Sequence, residues 1–118
     1  MSEQDQDRLD AETLAEFMEP EGWRFMPWPN DAWSVMFCGA DGMVTKATDE
    51  ATPWTRESIA PALAKIAEDE ALWSRFCGEF GIDLHDVDCG YANGWKRMVT
   101  SDGPQLARAC AAAVRGMR

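Results

Sequence analysis

His85 is the only histidine of the 118-residue chain, and it stands in the run Asp83-Leu84-His85-Asp86-Val87-Asp88-Cys89. A hydrolase would use such a histidine as general base, with Asp83, Asp86 or Asp88 as its charged partner and a cysteine as nucleophile. The spacing argues against that chemistry. Cys89 is four residues from His85, and in an extended segment the two side chains stand well apart. No oxyanion-type glycine motif accompanies them. The expectation is an exposed loop histidine among solvated carboxylates, with a small hydrolase using His85 and a cysteine as the enzymatic alternative.

The same carboxylates suggest calcium only superficially. With Asp86 as position 1 of a twelve-residue loop, position 12 is Arg97 where a bidentate glutamate is required, so an EF-hand is excluded. Cys38, Cys77, Cys89 and Cys110 are scattered without a Cys-x-x-Cys pair. That pattern reads as free structural thiols, with no metal site and no cofactor. Gly90, Gly94 and Gly103 are isolated turn glycines and make no phosphate loop.

Six tryptophans are the other conspicuous residue type. Trp33, Trp73 and Trp95 fall on periodic apolar positions and belong to a core. Trp28 (in MPWPN) and Trp54 (in TPWTR) sit beside prolines in loops, where an exposed indole serves as a contact anchor. The competing expectation is that a loop tryptophan folds back over the sheet edge.

These residues have to be placed by elements that the pattern predicts. Residues 1–8 read as a disordered acidic tail and 9–118 as a single domain. Helix 1 is expected over 10–18, with Asp10 as N-cap, Leu9 and Leu14 as a hydrophobic staple, and Ala11, Leu14, Ala15 and Met18 as its buried stripe. Trp23 and Phe25, then Trp33, Val35 and Phe37, alternate with polar or mixed residues, and Asp41-Gly42 returns the chain along 43–46. That predicts a three-stranded antiparallel meander. A helical segment follows over 58–80, with Glu68-Asp69-Glu70 as a break between two shorter helices. Val87, Cys89 and Tyr91 alternate, and Asn93-Gly94 predicts a second hairpin returning over 95–100. Asp102 or Gly103 caps a last helix with Pro104 near its start, whose buried stripe is Leu106, Cys110, Ala113, Val114 and Met117. The fold class is α+β, an antiparallel sheet with packed helices in the order α-βββ-α-ββ-α.

The charge is laid out unevenly. The net charge is −10. Residues 1–21 hold eight acids against Arg8, while 95–118 hold five cations against Asp102. Glu12, Glu16 and Glu19 lie off the apolar stripe of helix 1, and Glu68, Asp69 and Glu70 form a compact acidic cluster. Direct nucleic-acid binding is disfavoured by such a surface, and a basic protein surface is favoured. The apolar runs are too short to span a membrane, and the acidic N-terminus is unlike a signal peptide. A cytoplasmic protein, monomeric or homodimeric, is expected.

The run TRESIAPALAKI at 55–66, the expected hairpin with GW at 94–95 and SDGPQLARACAAAVRGM at 101–117 resemble small bacteriophage proteins of the ABA-sandwich type, which pair a helix, a short Trp-bearing hairpin and a final Ala-rich helix, as does EGWRF at 21–25. The resemblance covers about half the chain. It implies a phage or prophage accessory protein without family catalytic residues. Together with the charge, it leads to an expected non-enzymatic inhibitor of a nucleic-acid-handling host protein in the host bacterial cell. The most concrete form is an anti-defence protein of the anti-CRISPR type acting on an effector subunit. An acidic immunity protein or antitoxin neutralising a cognate toxin is the alternative. The partner-binding candidates are Glu12, Glu16, Glu19, Trp28, Trp54, Glu68, Asp69 and Glu70.

Overall fold

Leu14, Ala15, Met18 and Ala11 are all buried in a computed structural model that describes residues 3–82 and 90–117, so the one-sided stripe of the first helix does what its period predicts. Helix α1 runs over Glu3–Phe17 and begins well before Asp10. The segment expected as a tail is therefore helical from Glu3 onward. Asp10 is an interior helix residue and not an N-cap, and Leu9 is exposed, so no staple forms. A 3-10 turn at Glu19–Glu21 carries Pro20 and is closed by Gly22 at φ +100°, a conformation that glycine adopts without cost.

The strands are β1 (Trp23–Pro27), β2 (Trp33–Cys38) and β3 (Val44–Asp49), antiparallel in the order β1-β2-β3. Phe25 pairs with Val35, and Met36 with both Arg24 and Lys46. A bulge at Val35/Met36 shifts the β3 register. Trp33 and Val35 are buried, as alternation requires of a half-covered sheet. The Asp41-Gly42 turn is present, with Gly42 at φ +83° and Asp41 Oδ1 accepting from Met43 N–H at 3.0 Å.

Helices α2 (Arg56–Ala67) and α3 (Glu70–Gly78) divide the expected long segment at the acidic cluster. α2 starts two residues before Ser58 because Thr55 caps it: the Thr55 hydroxyl accepts from Ser58 N–H, and Ser58 accepts from Thr55 N–H. Asp69 caps α3 in the same way, accepting from Ala71 and Leu72 N–H. The α+β class with an antiparallel sheet and packed helices holds.

The second hairpin does not form where its return strand was expected. Residues 95–100 lie in α4 (Gly90–Thr100), and the Asn93-Gly94 turn signal is overruled. Gly94, Met98 and Ser101 are buried at helical spacing, and a Cβ on Gly94 would overlap the Ile82 side chain, so this stretch packs with a 3.6-residue period. The Thr100 hydroxyl donates to Lys96 C=O at 2.8 Å and the Ser101 hydroxyl to Arg97 C=O at 2.6 Å, both helical back-bonds.

Helix α5 (Gly103–Gly116) opens with a capping box between Asp102 and Gln105. Gly103 lies so close to Trp54 that a Cβ there would overlap the Trp54 carbonyl. Leu106, Cys110, Ala113 and Val114 are buried as expected, whereas Met117 is exposed and its Sδ accepts from Arg75 Nε. α5 packs against α1, α2 and α3, and α1 packs on β1 and β2. The core thus lies between one face of the sheet and the helices.

A candidate acidic groove

The segregated charges of the sequence meet inside the fold. Because α5 packs along α1, Arg115 Nη1 donates to Asp10 Oδ1 at 2.9 Å, and Arg108 reaches Asp7 at 3.0 Å and Asp10 Oδ2 at 3.6 Å. Gln6 Nε2 donates to Asp10 Oδ1 as well. Part of the basic C-terminus is therefore spent on the acidic N-terminal helix.

Beside these pairs an open groove of about 580 Å³ is walled by the first half of α1, the β1–β2 turn, the end of β3 and the start of α5. Its carboxylates are Asp5, Asp7, Asp10, Asp31, Asp49 and Glu50; Trp33 and Trp54 contribute indole surface, and Arg8 lines it too. Each carboxylate arrives by a local device. Asn30 and Asp31 both adopt left-handed backbone (φ 63° and 61°), which turns the hairpin tightly and sets Asp31 on the rim. Glu50 Oε2 accepts from Trp33 N–H at 3.1 Å. Asp49 Oδ1 accepts from Ala51 and Thr52 N–H, while Lys46 pairs with Oδ2 at 2.7 Å. That ammonium, aided by the amides and opposed by partial burial, holds the Asp49 carboxyl below its ordinary value.

The apolar wall is built from stacked rings. Trp54 is 7% exposed and stacks on Trp23 at 5.5 Å between centroids, and Phe25 stacks on Trp33 at 6.1 Å. Arg8 lies over the Phe25 ring at 5.7 Å and bonds Glu12 at 3.2 Å. Trp54 is consequently not the exposed anchor expected; it folds back onto the sheet, and only its edge lines the groove. Trp28 is the exposed one at 51%, tethered through Nε1–H to Ser34 Oγ at 2.8 Å.

The remaining candidates are not gathered here. Glu16 and Glu19 are exposed and Glu12 half-buried on the first helical stretch, and Glu68, Asp69 and Glu70 are exposed at the α2–α3 junction. None of them lines the groove. Asp69 has a structural duty as helix cap. His85, Asp83, Asp86, Asp88 and Cys89 lie outside the described residues. Asp5, Asp7, Asp31, Asp49 and Glu50 were missed because they come from three separate segments. The one local signal was the Asn30-Asp31 turn.

The groove is suited to cations with an apolar stem. Among the described residues no group of histidine, cysteine and acidic side chains is placed to hold a metal ion. No helix among them is long and apolar enough to cross a membrane. Comparison with protein-family models, curated proteins and solved structures gives no match.

Proposed function

We propose that this chain is a non-enzymatic binding protein that engages a basic, nucleic-acid-handling protein and inhibits it by occupying the surface meant for nucleic acid. The observation that supports the reading is the groove, lined by six carboxylates and Arg8, with Asp7, Asp10 and Asp49 paired to Lys46, Arg108 and Arg115 from outside its lining. Arginine suits it best. A guanidinium pairs with a carboxylate through two parallel hydrogen bonds and stacks on an indole face, which lysine does less well. The tethers hold Asp7, Asp10 and Asp49 in place, so little side-chain entropy is lost when a partner enters.

In its specific form the chain is a phage or mobile-element accessory protein of the anti-defence type, and the partner is a CRISPR effector subunit. The support for that form is the resemblance of residues 101–117 to small phage proteins, joined to the acidic surface. The test is co-purification from bacterial lysate using the native chain and an Asp5→Lys/Asp31→Lys variant. Nucleic-acid-handling proteins should be retained at low salt and released by about 0.5 M salt, where screening shortens the reach of exposed charges to a few ångströms. They should be absent from the variant. Retention that ignores both salt and charge reversal would overturn the proposal, and a co-purifying toxin would replace the anti-defence form by the immunity form.

A further inference from the structure

Arg8 already holds the posture that a partner's arginine would take beside the groove. It is the one cation among the described residues that line it. Its guanidinium lies over the Phe25 ring, 5.7 Å from the centroid, and its Nε donates to the Glu12 carboxylate at 3.2 Å. A guanidinium within about 6 Å of a ring centroid is attracted to the ring face, and a neighbouring carboxylate adds a charge-assisted hydrogen bond. Phe25 is not itself part of the groove lining, whereas Trp33, on which it stacks at 6.1 Å, is. Arg8 thus stands between the open groove and an aromatic ring that continues its wall.

The hold on Arg8 is slight. Its side chain is 37% exposed and that of Glu12 44%. An exposed ion pair one helical turn apart shifts an equilibrium only about twofold, and an exposed cation–π contact about two- to fivefold. An incoming guanidinium restores both contacts, so the exchange costs little beyond the rotamer change of one flexible side chain. Lysine restores them less well, since an ammonium neither stacks flat on a ring nor forms paired hydrogen bonds.

We propose that the Phe25 ring face and the Glu12 carboxylate form the arginine subsite of the groove, which Arg8 fills in the free protein and from which an arginine of the partner displaces it. The inference rests on the groove reading and adds which subsite takes the guanidinium and what competes for it. It also gives Glu12, which does not line the groove, a part in binding once Arg8 has moved.

Titration calorimetry of the full chain at low salt tests it, with a capped peptide of alternating arginine and glycine and with its lysine counterpart. Arg8→Ala should bind the arginine peptide about fivefold tighter than the native chain does, and should gain less for the lysine peptide. Removing a cation from an acidic groove raises its affinity for any cation. Arg8→Met, which keeps a stem over the ring, measures that charge effect alone and should gain less than Arg8→Ala. The difference between the two should vanish in a Phe25→Leu background, with circular dichroism confirming that each variant is folded. Equal gains for Arg8→Ala and Arg8→Met, or a difference that survives Phe25→Leu, would overturn the proposal. So would a native chain that binds the arginine peptide while Arg8→Ala binds it no better, a result that leaves the groove reading standing. Failure of every form to bind the peptide overturns both.

Discussion

Arg115 and Asp10, 105 residues apart in sequence, form a 2.9 Å ion pair in which the Asp10 side chain is 5% exposed. Arg108 lies on the other oxygen of the same carboxylate at 3.6 Å. The pair closes α5 onto α1 and uses charge that would otherwise be available to a partner. Removing the partly exposed arginine is costly, because the buried Asp10 carboxylate left behind stays desolvated.

Arg115→Met should therefore destabilise the fold by about 2–3 kcal/mol, since Arg108 and Gln6 still support Asp10. The double variant Asp10→Leu/Arg115→Met should recover most of that loss, as an apolar pair of similar size replaces the ions. Urea unfolding of the single and double variants checks both. An additive double variant would mean that the pair is not coupled.

Asp69 was a contact candidate, yet its carboxylate caps α3. Asp69→Ala should cost about 1 kcal/mol in thermal or urea unfolding, whereas Asp69→Asn should cost much less because the amide oxygen can still accept. Equal losses for the two variants would show that charge, and not capping, is what matters at this position.

Asp31 sits at φ 61° on the groove rim. Asp31→Gly should raise stability by about 0.5 kcal/mol through relief of the left-handed strain, less the entropy gained by the unfolded chain. The same change should weaken capture of an arginine-rich peptide by removing a rim carboxylate. Denaturation and peptide titration together check for opposite signs.

Burial pushes the Cys110 thiol up to about 12 from 9.0, and it raises Cys77 as well. The folded state holds these protons more tightly than the unfolded state does. Stability is thus fully present below pH 9 and falls as pH rises toward 12. Unfolding midpoints measured across that range should decline, and less steeply in Cys110→Ala. Iodoacetamide should label exposed Cys38 well before buried Cys77 and Cys110, which mass spectrometry reads directly.

Much of the scaffold was legible where a single period was clear. The stripe Ala11-Leu14-Ala15-Met18 admits only a helix, and Trp33-Val35-Phe37 beside an Asp-Gly turn admits only a hairpin strand. The break at Glu68–Glu70 and the cap at Asp102 were also local, because a cap needs partners only two or three residues away. Residues 95–100 were not legible. The Asn-Gly turn, after the alternation of Val87, Cys89 and Tyr91, favoured a return strand, while burial of Met98 and of Gly94 against Ile82 favoured a helix, and packing outweighed the turn signal.

The sequence by itself determined the helices with one apolar stripe, the three-stranded meander and the acidic balance of the chain, since each follows from residues a few positions apart. Only the tertiary structure decided that Asp10 is a buried ion-pair partner and not a cap, and that Trp54 is wall and not anchor. It alone drew Asp5, Asp31 and Glu50 around one groove. These outcomes depend on which surfaces α5 and the sheet turn toward α1, and that choice is made by packing between segments far apart in the chain, where no local spacing records it.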